Sequence, residues 1–314
     1  MLVIVALLAL VGLGVWLTYP RVGNLLFVLI AQVQARRARL KGVVVPIKGM
    51  TLATWQGGER QSPALLLIHG FSADKGVWLD FARYFTDDYR LIIPDLAGHG
   101  SNAFVPGGDY SIAAQARRMV ALLDACQVAQ VHVIGSSMGA YIASWLAAQY
   151  PERVLSMVLI GAAGVQLPQP NEVEELVNAG DNPFLIHTRA QFDRFFAMTM
   201  ASPPWIPEVL LAAEAAVYIK RRAELAEIFA DFEGSPRMEP WLPEVRVPSL
   251  ILWGREDRMV PVASAQTWLA GLAQAQLQII DGVGHLPMVE CPELAAQYCR
   301  DFLGGAKVYS SIRS

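Results

Sequence analysis

Cysteine is scarce in this chain, and so is charge. The 314 residues include three cysteines, Cys126, Cys291 and Cys299, an odd number that cannot all pair. None has metal-ligand company, and Cys291 and Cys299 are separated by roughly 12 Å if the segment between them is helical, too far for a bridge. Cysteine use therefore leaves the redox compartment open. The chain also lacks a G-x-x-x-x-G-K-[ST] phosphate loop, an H-E-x-x-H pair and calcium-loop spacing. Net charge is −3, and beyond residue 41 the basic residues are dispersed with no aromatic-interleaved stripe. Nucleic acid is excluded as a partner on that pattern, and neither a metal nor an organic cofactor is called for.

What is abundant is apolar surface. Hydrophobic residues make up 54% and charged residues 17%, an apolar balance for a soluble protein. Much of the excess lies at the start, where Met1 to Leu17 holds no polar residue and the first charge is Arg21. Such a run reaches the lower end of what spans a bilayer core of about 30 Å. It reads as an uncleaved anchor rather than a signal peptide, because no basic stretch precedes it and no small-x-small site precedes Pro20. Leu25 to Ile30 continue the apolar character, bent near Pro20 and Gly23, before Arg36, Arg37, Arg39 and Lys41 follow. Those four cations gain about 1 kcal/mol each beside anionic lipid head groups. An apolar helix over 20–35 needs a cover outside lipid, and a homodimer through this segment is one such cover. Counted by basic residues, the part beyond the anchor belongs on the cytoplasmic side.

Beyond the anchor, short apolar strands alternate with helical patterns: 43–47, 52–56, 64–68, 91–94, 131–135, 154–161, 250–253 and 277–280. That alternation predicts an α/β fold with a mostly parallel sheet covered on both faces, opened by an antiparallel edge hairpin. The strand Val131 to Ile134 runs into Gly135-Ser136-Ser137-Met138-Gly139 and then into a helix that Pro151 ends. Strand, G-x-S-x-G and helix together are the pattern of a nucleophile elbow, a strained turn that lifts the serine hydroxyl above the sheet edge.

A serine at neutral pH is a poor nucleophile and needs a base held by an acid. With this elbow the chain order is Ser, then Asp or Glu, then His. His69 and His99 precede the elbow, His132 sits inside its strand and His187 lies in a helical insertion. His285 remains, on a glycine-flanked loop after the strand ending at Ile280. Asp257 is the acid, with Glu256 as the fallback in the same turn, Gly254-Arg255-Glu256-Asp257-Arg258. The competing reading of that turn is a solvated one, with Asp257 paired to Arg255 or Arg258. Backbone amides that stabilise an oxyanion are expected at Met138, directly after the nucleophile, and at Phe71, after Gly70 in the turn that follows Ala64 to Ile68. His69 reads as a structural residue of that turn.

From Gly164 to about Val247 the strand rhythm stops and helical patterns dense in Phe, Met and Trp take over. This is a lid inserted between strands. Most of its aromatics pack it onto the main domain, yet a Met- and Phe-rich cap over the elbow also suits an apolar tunnel for an acyl chain. Phe195, Phe196, Met198 and Phe229, with Phe71 and Met138, are the expected lining. The division is 1–38 for the transmembrane and juxtamembrane helix, 39–164 with 248–314 for the core, and 165–247 for the lid.

His69-Gly70-Phe71, Asp95-Leu96-Ala97-Gly98-His99-Gly100-Ser101, the elbow, Gly254-x-x-Asp257 and Gly284-His285 resemble the α/β-hydrolase superfamily over residues 43–303. Within it, His69 to Lys75 and the N-terminal anchor are similar to membrane-bound monoacylglycerol lipases, bacterial lipases and membrane-anchored bacterial phospholipases A. Ala140 departs from the glycine many relatives carry, and Ser137 excludes the dehalogenases and epoxide hydrolases, which use Asp there. The resemblance implies a serine ester hydrolase with Ser137, Asp257 and His285 as its triad. It tips the substrate towards glycerophospholipids, with fatty acids released, and puts the catalytic part in the periplasm, against the side that the basic residues favour. Carbon–carbon bond hydrolases share the fold and triad without needing an anchor, and a non-catalytic scaffold is disfavoured by the intact elbow.

Overall fold

The computed structural model describes residues 2–168 and 170–311, with the backbone alone for residues 2–18, 20 and 306–311. Eight strands form one sheet: β1 (Lys41–Ile47), β2 (Met50–Gly57), β3 (Ala64–Ile68), β4 (Arg90–Pro94), β5 (Val131–Ser136), β6 (Val154–Ile160), β7 (Ser249–Gly254) and β8 (Ala275–Ile280). Their order across the sheet is β1-β2-β4-β3-β5-β6-β7-β8. The β1/β2 and β2/β4 pairs are antiparallel and the other five are parallel, so the expected edge hairpin and parallel body are both present.

Strands covered on both sides must be apolar on both faces, and β3 shows this: all five of its residues are buried. Leu66 and Ile68 enter one core with α3 (Ile112–Ala125) and α4 (Met138–Gln149), through side chains such as Met119 and Ile142. Leu65 and Leu67 enter the opposite core with the short α2 (Leu79–Ala82) and the C-terminal α10 (Pro292–Ser311). The chain reverses direction across the sheet between β3 and β5, with β4 laid on one side of β3 and β5 on the other. Open α/β sheets bind ligands at the carboxyl ends of strands flanking such a switch point.

Between β6 and β7 come α5 (Glu172–Asn178), α6 (Arg189–Thr199) and α7 (Glu208–Glu233). After β7 lie α8 (Ser264–Gly271) and, behind β8, the four-residue α9 (Pro287–Glu290). The N-terminal α1 (Leu2–Arg37) is assigned as one helix through Pro20 and Gly23. Its Gly23 is pressed against α7: a Cβ there would lie 2.3 Å from the Val209 carbonyl oxygen and 2.6 Å from Ala213 Cβ. Ala35 and Ala38 near its end are buried with Trp78 and Leu79. Leu25, Val28 and Leu29 remain exposed, Leu25 at 72%. The apolar run 1–17 lies outside the residues whose side chains are described; among the described residues no helix is long and apolar enough to cross a membrane.

Candidate active site

Ser137 stands between β5 and α4 with φ 54° and ψ −118°, a conformation L-residues avoid. The turn leaves no room for a side chain on either flank. A Cβ at Gly135 would lie 2.2 Å from the Gly139 carbonyl oxygen, and one at Gly139 would lie 2.1 Å from that of Ile68. The Ser137 N–H donates to the Ile160 carbonyl at 2.9 Å, which stitches the turn to the end of β6.

His285 and Asp257 meet at the neighbouring strand ends. The His285 Nδ1 lies 2.7 Å from Asp257 Oδ2, both residues being buried. Asp257 Oδ1 accepts the Met259 and Val260 N–H groups at 2.9 Å each, so the carboxylate is held at both oxygens. With Nδ1–H donated to the carboxylate, the imidazole keeps its free lone pair on Nε2, the tautomer a general base needs. A Cβ at Gly161, which follows β6 directly, would fall 3.0 Å from His285 Nδ1 and 3.1 Å from Asp257 Oδ2. Its neighbour Ile160 holds the Ser137 amide, which brings all three residues to the carboxyl ends of β5 to β8.

The neighbouring charges divide cleanly. Glu256 accepts the Val283 N–H at 3.0 Å and braces the His285 turn from outside. Arg255 pairs with Asp281 and Arg258 with Glu172, which leaves Asp257 to the histidine rather than to a solvated ion pair. Three of the other histidines, His69, His99 and His132, are buried with structural partners. His69 Nδ1 donates to its neighbour's Gly70 carbonyl at 2.8 Å while Nε2 accepts the Leu96 N–H at 3.0 Å. Burial holds the His69 pKa below its usual value, and burial beside His69 drives His99 down to about 3. His132 is buried against Ser156, at 2.7 Å, and His187 sits exposed in the excursion between β6 and β7.

The turn after β3 closes on the serine. A Cβ at Gly70 would lie 3.1 Å from Ser137 Cβ and 3.7 Å from its Oγ, so the turn that carries Phe71 packs directly against the serine. Met138 opens α4, where the first N–H groups of a helix have no acceptor within it. This turn is itself anchored from below: buried Asp95 accepts the Lys75 and Ser101 N–H groups and pairs with Lys75 Nζ. From above, the Ser72 Oγ lies 3.1 Å from the Tyr218 hydroxyl of α7.

The Phe71 ring leads into a cluster of phenylalanines. It packs edge-on to Phe184 and Phe229, both at 5.4 Å, and stacks on Phe232 at 6.2 Å. Phe195 joins through Phe184 at 5.8 Å, Phe196 stacks on Phe192, and Met198 is buried in the same core as Phe71 and Phe195. Of the expected lining, Phe71, Phe195 and Phe229 are therefore gathered in one cluster. Phe184 and Phe232 belong to that cluster as well, and their density in the sequence was the one signal that pointed to them. A cavity of about 290 Å³ lies elsewhere, between the start of β7, β8 and Tyr298 and Phe302 of α10.

Residues 63–292 match the model of the alpha/beta hydrolase fold. The chain belongs to the α/β-hydrolase family. It is 32% identical over 268 residues to Lipase 1 of Psychrobacter immobilis, covering 82% of this chain and 83% of the other. With monoacylglycerol lipase ABHD6 of Bos taurus it shares 25% over 273 residues, 83% of this chain and 80% of that one. The crystal structure of a membrane phospholipase A, described as a bacterial virulence factor, superposes with a TM-score of 0.89 over 98% of each chain at 34% identity. Fold and relatives make this α/β hydrolase a carboxylic ester hydrolase of the lipase and phospholipase kind.

Proposed function

We propose that the protein is a membrane-anchored phospholipase A that releases fatty acids from glycerophospholipids through Ser137, His285 and Asp257. The contact of His285 Nδ1 with Asp257 Oδ2, beside the strained Ser137, carries this reading. His285 Nε2 takes the proton of Ser137 Oγ as that oxygen attacks the acyl carbonyl carbon. The resulting oxyanion is met by the Phe71 and Met138 amides, placed before charge develops and therefore costing no reorganisation. On collapse the ester bond breaks and the imidazolium returns its proton to the leaving lysophospholipid oxygen. A water, deprotonated by the same nitrogen, then hydrolyses the acyl-enzyme, frees the fatty acid and restores Ser137. Asp257 keeps its proton balance unchanged throughout; its work is to orient and to stabilise the imidazolium.

Residues 165–247 act as a lid over a core of 39–164 and 248–314. The phenylalanine cluster of Phe71, Phe184, Phe195 and Phe229 is the apolar surface that receives the acyl chain, with Phe196 and Met198 behind it. Residues 1–38 hold the enzyme in a bacterial inner membrane with the catalytic part in the periplasm. The exposed Leu25, Val28 and Leu29 are covered there by lipid or by the same face of a second copy in a homodimer. The likeness to a membrane phospholipase A along 98% of the chain supports this choice of substrate. A second reading, hydrolysis of monoacylglycerols or shorter esters, is favoured by the likeness to monoacylglycerol lipases.

Mass spectrometry of the products from phospholipid, monoacylglycerol and short-ester micelles separates the two. Fatty acid and lysophospholipid released by the wild type, and absent with Ser137→Ala, are expected. Cleavage confined to monoacylglycerols or short esters would move the substrate to the second reading.

A further inference from the structure

Glu290 closes α9, five residues beyond His285, and its carboxylate faces two loops at once. Oε1 accepts the Gly284 N–H at 2.8 Å, in the turn that carries His285. Oε2 accepts the Ala201 and Ser202 N–H groups, both at 2.8 Å, in the link between α6 and α7. Beside this carboxylate the His285 N–H donates to the Thr199 carbonyl at 3.0 Å. The two loops are in backbone contact: a Cβ at Gly284 would lie 2.6 Å from the Ala201 nitrogen and 3.0 Å from Met200 Cα. A carboxylate that accepts three amides makes charge-assisted bonds, stronger than neutral ones. None of those three amides belongs to a helix or strand. Ser137 is seated at the end of β5 and the Asp257 carboxylate is held by the Met259 and Val260 amides of its own turn, whereas the backbone of His285 itself bonds to the excursion between β6 and β7.

We propose that Glu290 is a positioning residue: it latches the His285 turn to the 199–202 link, so that the imidazole stands correctly against Ser137 when that link is seated. Displacement of the link frees the His285 turn, and its return rebuilds the base. The proposal rests on the assignment of Ser137, His285 and Asp257 given above.

The test uses the full-length enzyme in detergent, with Glu290→Gln and Glu290→Asp. Glutamine keeps the shape but offers an NH2 group to one of the two loops, whichever way its amide turns. Misplacing a reacting group by about 1 Å can cost on the order of 100-fold. Glu290→Gln is therefore expected to lower kcat on a soluble short-chain ester by about 10- to 100-fold, counted per site titrated with a fluorophosphonate. KM should stay within about twofold, since this substrate is too small to engage the lid. Amide hydrogen exchange at Gly284, or at Ala201 and Ser202, should speed up in the same variant. Glu290→Asp, which keeps both acceptor oxygens, should fall between, and decides by the same measures if the glutamine variant does not fold. A staple with no part in placing the base would speed exchange and leave kcat per site unchanged, which overturns the proposal. Unchanged exchange overturns it too. Hydrolysis surviving in Ser137→Ala would sink the triad and the latch together, whereas loss there with wild-type kcat in Glu290→Gln would sink the latch alone.

Discussion

Replacing Asp257 with asparagine separates orientation from packing, because the two oxygens of this carboxylate have different duties. Oδ1 accepts two backbone amides at 2.9 Å, and Oδ2 takes the His285 Nδ1–H at 2.7 Å. In Asp257→Asn the side-chain oxygen stays with the two amides, since the reverse orientation sets an NH2 group against two N–H donors. The new NH2 then faces Nδ1 and can only donate. Nδ1 becomes the acceptor, the proton moves to Nε2, and the imidazole can no longer take the proton of Ser137. Such a tautomer switch in a serine hydrolase triad costs about 10⁴ in kcat, equivalent to about 5.5 kcal/mol of transition-state stabilisation. The fold keeps both amide bonds, so the thermal midpoint should move by only a few degrees. The assay is steady-state hydrolysis of a soluble p-nitrophenyl ester alongside thermal unfolding. A folded variant with kcat within about tenfold of wild type would refute the assignment of Asp257 and the argument from tautomers.

Two further outcomes follow from the structure. Burial, with Asp74 nearby, raises the Glu214 carboxyl on α7 to about 7, against the opposing pull of Arg221. An acid raised on folding adds no penalty below its unfolded pKa and a full one above its folded pKa, so stability falls as pH rises from about 4.5 to 7. Glu214→Gln should therefore raise the melting temperature at pH 8 and leave it nearly unchanged at pH 4.5; an equal shift at both would remove Glu214 as the cause. Deleting residues 1–18, while keeping the buried Ala35 and Ala38, should preserve cleavage of soluble short esters and reduce cleavage of phospholipid vesicles by tenfold or more. Undiminished vesicle hydrolysis by the truncated enzyme would show that the N-terminal run does not deliver substrate.

Much of this architecture was legible because its causes are local. Continuous apolar runs of five or six residues, spaced by helical patterns, are what strands covered on both faces must look like. The elbow was legible for an equally local reason: a turn that tight tolerates no side chain at positions 135 and 139, so its sterics are written within five residues. Chain order then narrowed the histidines to His285, and strand ends narrowed the acid to one turn. The choice between Glu256 and Asp257 was different. The two are adjacent, both acidic, and pattern alone ranked them without separating their roles. The turn's geometry aims one at His285 and the other at the Val283 amide.

What the sequence by itself determined, then, is the sheet, the elbow and the chain order of the groups that could serve it. Tertiary structure alone decided which distant groups meet. Gly23 receiving α7, Phe71 meeting Phe184 and Phe229, and Glu290 bonding Ala201 and Ser202 join segments far apart in the chain. The partners are backbone groups, which leave no mark in a sequence, and aromatic rings, whose density is legible but whose pairing is not. Every non-proline residue carries an amide, and an aromatic in the excursion between β6 and β7 packs wherever the fold first excludes water. Which amide a carboxylate reaches, and which rings meet, are settled only when helices from one excursion come to rest on the end of a finished sheet.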